Sequence, residues 1–192
     1  MRFNRHSDFE GSHSFLSASK YHWIRYDDDK LDATYRTHLA AQRGTDLHAF
    51  AAEAIRLGIK MGRSKQTLYQ FVNDVLGFRM QSEQMLFYSP NSFGTADAIS
   101  FKDSLLRIFD LKTGVSKASF DQLIIYAALF CLEYDVRPGS IQYDLRIYQN
   151  DEILRYEDFN DINEIADKVA HVMDKIVNFD NRINNIRMEV FA

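Results

Sequence analysis

The chain has 192 residues, 46% of them hydrophobic and 26% charged, with a formal net charge of −4. This composition excludes a disordered polymer and fits one domain with a sizeable core. A single cysteine, Cys131, excludes an internal disulfide framework and any four-cysteine zinc or iron–sulfur site.

The segment Met1–Glu10 is polar, lacks the apolar core of a signal peptide and reads as loose chain. No apolar run approaches the roughly 20 residues that span a bilayer. A cytoplasmic protein with no membrane association is expected. Ser17 or Ser19 can cap a short helix over Lys20–Arg25, which Asp27–Asp29 interrupts. From Leu31 to Leu57, Ala40, Leu47, Phe50, Ala51, Ala54 and Leu57 recur at three- and four-residue steps, the pattern of an amphipathic helix. Gly44 is a candidate break in it. A second helix fits Ser64–Leu76.

At Phe78 the pattern changes. Gln84–Tyr88, Thr95–Phe101 and Leu105–Leu111 read as short strands, joined by the turn signals Ser89-Pro90-Asn91 and Lys102-Asp103-Ser104. A helix follows over Lys117–Tyr134, then an alternating strand over Ile141–Tyr148, then a helix over Ile162–Val177. The expected architecture is α/β: a central mixed sheet flanked by helices, with residues 1–80 mainly helical and residues 81–192 forming the core of one domain.

Charge is uneven. Residues 36–79 hold seven basic and three acidic side chains, whereas residues 140–192 hold six basic and eleven acidic. A polyanion-binding surface therefore belongs to the first half, if the excess is more than an ordinary helix surface. The acidic C-terminal third would suit a protein partner.

The chemically informative residues are Asp97 on the second strand and Asp110 and Lys112 at the end of the third. Residues two apart on a strand point to one face, so Asp110 and Lys112 project together. A hairpin about Asp103 brings Asp97 near the level of Asp110. Adjacent carboxylates on apolar strands repel unless a hard cation such as Mg²⁺ or Mn²⁺ lies between them. Such an ion can polarise a phosphodiester and activate water, with Lys112 placed to orient that water or neutralise developing charge. The plainer reading makes Asp97 a turn or edge residue and Asp110–Lys112 an ordinary pair on an amphipathic strand.

Asp97 and the run Asp110-Leu-Lys112-Thr-Gly114 resemble the signature of PD-(D/E)XK nucleases, in particular the RecB-like branch with its CRISPR-associated and phage exonucleases. Gln122-Leu-Ile-Ile-Tyr126 is similar to that branch's Gln-x-x-x-Tyr motif, and Gly44-Thr-Asp-Leu-His48 to its Gly-x-x-x-His motif. The resemblance covers about residues 44–148. It implies a restriction-endonuclease-like core and a Mg²⁺ or Mn²⁺ site held by His48, Asp97, Asp110 and the backbone carbonyl of Leu111. It makes Lys112 the catalytic lysine and gives Gln122 and Tyr126 to substrate contact or to holding Lys112. Glu83 stands where the family often has an acidic residue, although an exposed strand-end glutamate is the simpler account. Glu53, five residues from His48, reads as a solvated charge. The cysteines of the iron–sulfur members are absent. The implied activity is hydrolysis of DNA, first as an exonuclease in recombination, repair or phage DNA metabolism, acting alone, as a homo-oligomer or with a recombination or replication protein. The alternatives are a structure-specific or nicking endonuclease, and a catalytically silent nucleic-acid- or protein-binding module on the same fold.

Overall fold

The computed structural model describes residues 14–156 and 162–191. The loose N-terminal stretch expected from the sequence lies outside the described residues. The chain divides into two compact units, Met1–Arg43 and Gly44–Ala192.

In the first unit a short 3-10 helix spans Ala18–Arg25, and Trp23 Nε1 donates to the Ser17 carbonyl at 2.9 Å. Helix α1 (Asp28–Arg56) begins in this unit and ends in the next. Asp27 Oδ1 accepts the Lys30 amide at 2.8 Å, an N-cap that explains the start of α1 among three aspartates. Gly44 does not divide the helix, which runs through it unbroken.

The second unit is an α/β sandwich around a five-stranded mixed sheet. Its elements are α2 (Thr67–Gly77), β1 (Gln81–Ser89), β2 (Ser92–Lys102), β3 (Leu105–Leu111), α3 (Asp121–Glu133), β4 (Gln142–Gln149), β5 (Glu152–Arg155) and α4 (Ile162–Phe191). Strand order follows the chain. β1, β2 and β3 form an antiparallel meander, β3 pairs parallel with β4, and β5 returns antiparallel. The parallel step requires a crossover, which α3 supplies. Two-residue turns close β2–β3 at Asp103-Ser104 and β4–β5 at Asn150-Asp151. All four residues have φ between 51° and 61°, the left-handed pair that matches strand twist.

Both faces of the sheet are covered, so β3 is apolar almost throughout. Leu106 and Ile108 pack with Leu123, Ala127 and Leu129 of α3 and with Val169 of α4. On the other face Phe109 and Leu111 pack with Ala51, Ala54 and Ile55 of α1 and Phe71, Val72 and Val75 of α2. Asp110 therefore lies between two apolar layers. No helix of the described residues is long and apolar enough to cross a membrane.

Candidate metal centre

The three chemically informative strand residues sit where the meander meets α1 and α3. The β2–β3 ladder pairs Ala98 with Phe109, so Asp97 and Asp110 occupy the next level of adjacent strands, as a hairpin about Asp103 requires. Asp97 Oδ2 accepts the Leu111 amide at 2.8 Å and lies 3.4 Å from His48 Nδ1. Glu83 joins them: one ligand atom each from His48, Glu83 and Asp97 lie within 4.8 Å of one another. Glu83 interrupts β1 with a left-handed φ of 50°. Such a conformation is strained for a glutamate and is held by its surroundings.

Asp110 stands beside this trio rather than within it. It is 2% exposed. Its Oδ1 accepts from Lys112 Nζ at 3.3 Å. Its Oδ2, 3.0 Å from the same nitrogen, is buried without an aligned hydrogen bond. Lys112 Nζ donates its shortest bond to Gln122 Oε1, 2.6 Å. Gln122 Nε2 donates to Tyr126 Oη at 3.1 Å, and Tyr126 Oη donates to the Thr95 carbonyl at 2.7 Å. Gln122 and Tyr126, one turn apart on α3, thus hold Lys112 to the β2 backbone.

Charge in the cluster is unbalanced. Burial and the nearby Asp97 carboxylate push the Asp110 acid above the usual carboxylate range, against the opposing pull of Lys112. The same two causes raise Glu83. The His48 imidazole is raised foremost by its hydrogen bond with Asp97, with Asp110 and Glu83 adding to the effect and burial opposing it. Two carboxylates and an imidazole in one cluster, with a third carboxylate beside it, are a hard donor set, and Asp110 Oδ2 is a buried oxygen without an aligned hydrogen bond. These residues fit a divalent cation of the Mg²⁺ or Mn²⁺ type.

Two close approaches position the parts. A Cβ on Gly44 would lie 2.7 Å from Thr113 Oγ1, so the glycine lets α1 reach the segment after Lys112 and sets His48 one turn on. A Cβ on Gly94 would lie 3.0 Å from Tyr126 Cε1, which makes room for the ring below Thr95. The loop after Lys112 is tied by Gln149, whose Nε2 donates to the Gly114 and Ser116 carbonyls at 2.6 and 2.7 Å. Gln149 was not singled out in the sequence. Its signal was a buried amide at the end of a strand that otherwise alternates polar and apolar residues. Glu53 is exposed and pairs with Arg56 at 2.6 Å, away from the cluster. Leu111 contributes its amide to Asp97.

No family model matches the chain, and no curated protein or solved structure shows significant similarity to it.

Proposed function

We propose that this protein hydrolyses DNA phosphodiester bonds with a divalent metal ion, as a nuclease of the PD-(D/E)XK class and of its RecB-like branch. The reading rests on one observation: His48, Glu83 and Asp97 converge within 4.8 Å, beside a buried, unsatisfied Asp110 oxygen and a lysine held by Gln122. The mixed sheet with α3 crossing between its two parallel strands is in keeping with a restriction-endonuclease-like core. His48, Asp97 and Asp110 would hold the ion, and Glu83 moves from a marginal candidate to a ligand or a base for an incoming water. A bound Mg²⁺ or Mn²⁺ supplies Lewis-acid polarisation of the scissile phosphate and activation of water. Lys112, fixed by Gln122 and Tyr126, neutralises charge developing on the phosphate oxygens or orients the attacking water. The cell interior, where DNA and the free thiol of Cys131 are both at home, is the expected compartment.

The test is nuclease activity on end-labelled linear and closed circular DNA, single- and double-stranded, with Mn²⁺ or Mg²⁺, beside Asp110→Ala and Lys112→Ala. Loss of linear DNA with circles spared, abolished in both variants, makes the protein an exonuclease at DNA ends. Cleavage of circles makes it an endonuclease. Inactivity on every substrate, or activity indifferent to both substitutions, overturns the proposal.

A further inference from the structure

Helix α4 carries a pattern that extends past the sheet. Its apolar residues alternate four- and three-residue steps without a break from Ile165 to Val190, the heptad of a left-handed coiled coil. The first half of this seam belongs to the fold: Ile165 and Val169 are buried against the core, and Val172 and Ile176 pack at its margin. The second half continues in the same register, and among the described residues it is left largely uncovered. Phe179 is 64% exposed, Ile183 41%, Ile186 44% and Val190 70%. An apolar groove of about 350 Å³ runs beside the seam where it leaves the domain, walled by Ile125 of α3 and the turn between β1 and β2. A surface helix shows solvent a polar face, so four consecutive apolar heptad positions mark an interface.

The charges say what covers it. In this register Val169, Ile176, Ile183 and Val190 occupy a, and Ile165, Val172, Phe179 and Ile186 occupy d. Arg182 and Glu189 take g, and Asp180 and Arg187 take e. Two copies packed parallel would set Arg182 against Arg187 of the other copy, twice, which offsets the favourable pairing of Lys175 with Asp180. Packed antiparallel, with Ile183 opposite Ile186 and Phe179 opposite Val190, the same residues complement one another. Arg182 then faces Glu189 across one flank and Asp180 faces Arg187 across the other, each pair occurring twice. The arrangement is its own partner under a twofold axis, as an isologous interface must be. Asp180 is already oriented on its own chain by Ser89 and Asn91, and Arg187 by Asn91, so both are held in place beside the seam.

We propose that residues 176–190 of α4 form an antiparallel helical dimer with a second copy of this chain. Four a–d layers bury on the order of 1,000 Å² in total, the low end for specific interfaces, so the dimer forms and dissociates with concentration. The proposal does not depend on the nuclease reading.

Sedimentation velocity on the full chain over a concentration series tests it, with circular dichroism to verify that each variant is folded. Expected is a reversible dimer that Ile183→Asp abolishes. Arg182→Glu and Glu189→Arg each place like charges across one flank twice, and each should weaken the dimer at least ~10-fold. Mixing these two variants restores opposite charges at both contacts of that flank, and should return the heterodimer to wild-type affinity. A chain that stays monomeric at every concentration, as it would if a different helical protein occupied the seam, overturns the proposal. So does a dimer indifferent to Ile183→Asp, or a mixture no tighter than either variant alone.

Discussion

Asp110→Asn should make the metal-free protein more stable and the metal-loaded protein relatively less so. Asp110 is 2% exposed, and its Oδ2 lacks an aligned donor. A buried unsatisfied polar atom costs about 1–3 kcal/mol, more when charged. The Lys112 ammonium, 3.0 Å away, recovers part of this, but its side chain is 31% exposed and water screens it. An amide oxygen at position 110 can still accept from Lys112 Nζ and no longer adds negative charge beside Asp97. The net gain in chelator is about 1 kcal/mol, or roughly 2–4 °C in melting temperature for a chain of this size. With Mn²⁺ at a hundred times its dissociation constant, the wild type gains about 2.7 kcal/mol, while the variant, short of one anionic ligand, gains little. The order of the two melting curves should therefore reverse between EDTA and MnCl₂ in a thermal-shift assay near neutral pH. A variant that melts below the wild type by the same margin in both conditions would make Asp110 an ordinary structural residue and refute the reasoning.

Three further outcomes follow from the geometry. Gln122→Ala removes the 2.6 Å acceptor of Lys112 and should lower kcat about 10- to 100-fold, while Gln122→Glu, which keeps an acceptor, should recover most of it. Unchanged kcat in the alanine variant would show that Lys112 needs no such tether. Gly44→Ala should lose its helix-propensity gain of about 1 kcal/mol to the 2.7 Å approach of Thr113 Oγ1 and regain it in a Thr113→Ala background. Urea unfolding of the four proteins gives the coupling, and strict additivity would deny the contact. Asp180 is held below its usual range, first by Ser89 and then by Asn91. A depressed folded value stabilises the fold above the unfolded pKa of about 3.9, and that contribution disappears as pH falls through the folded value. Asp180→Asn should therefore flatten the acid limb of urea stability relative to the wild type. Asp110 and Glu83, raised by burial, act in the opposite sense in both proteins, so the comparison isolates Asp180. Superimposable acid limbs would deny the contact between α4 and the β1–β2 turn.

Periodicity carried most of the fold. The three meander strands and the strand after α3 were legible because their apolar residues alternate or run together between turn signals. β5 was missed because it has four residues, although Asn150-Asp151 offered a two-residue hairpin signal. Gly44 was read as a helix break because its need is non-local: it faces Thr113, 69 residues on. α4 runs fourteen residues beyond the expected Val177 because its heptad continues after the contact with α3 ends. At the site, Asp97, Asp110 and Lys112 followed from strand geometry. Glu83 did not, since the left-handed φ that interrupts β1 there leaves no mark in the residue pattern.

A left-handed glutamate, a buried carboxylate oxygen without an aligned hydrogen bond, and a buried glycine within a helix all fall around His48, Asp97 and Lys112. Elsewhere in the second unit β3 is apolar where its faces are covered and the β2–β3 and β4–β5 turns use residues that tolerate positive φ, although Arg79 and Asp135 are also left-handed and Ser100 Oγ and Arg107 Nε are also buried without an aligned hydrogen bond. On the proposed function, a divalent cation would satisfy Asp110 Oδ2, offset the repulsion that raises Asp110 and Glu83, and give His48 a use at its place on α1. The supports are built to the same end, with Gln122 and Tyr126 fixing Lys112 and Gln149 fixing the loop behind it. On the same proposal, the ion that would relieve the repulsion between these carboxylates would also be the one that polarises the phosphate.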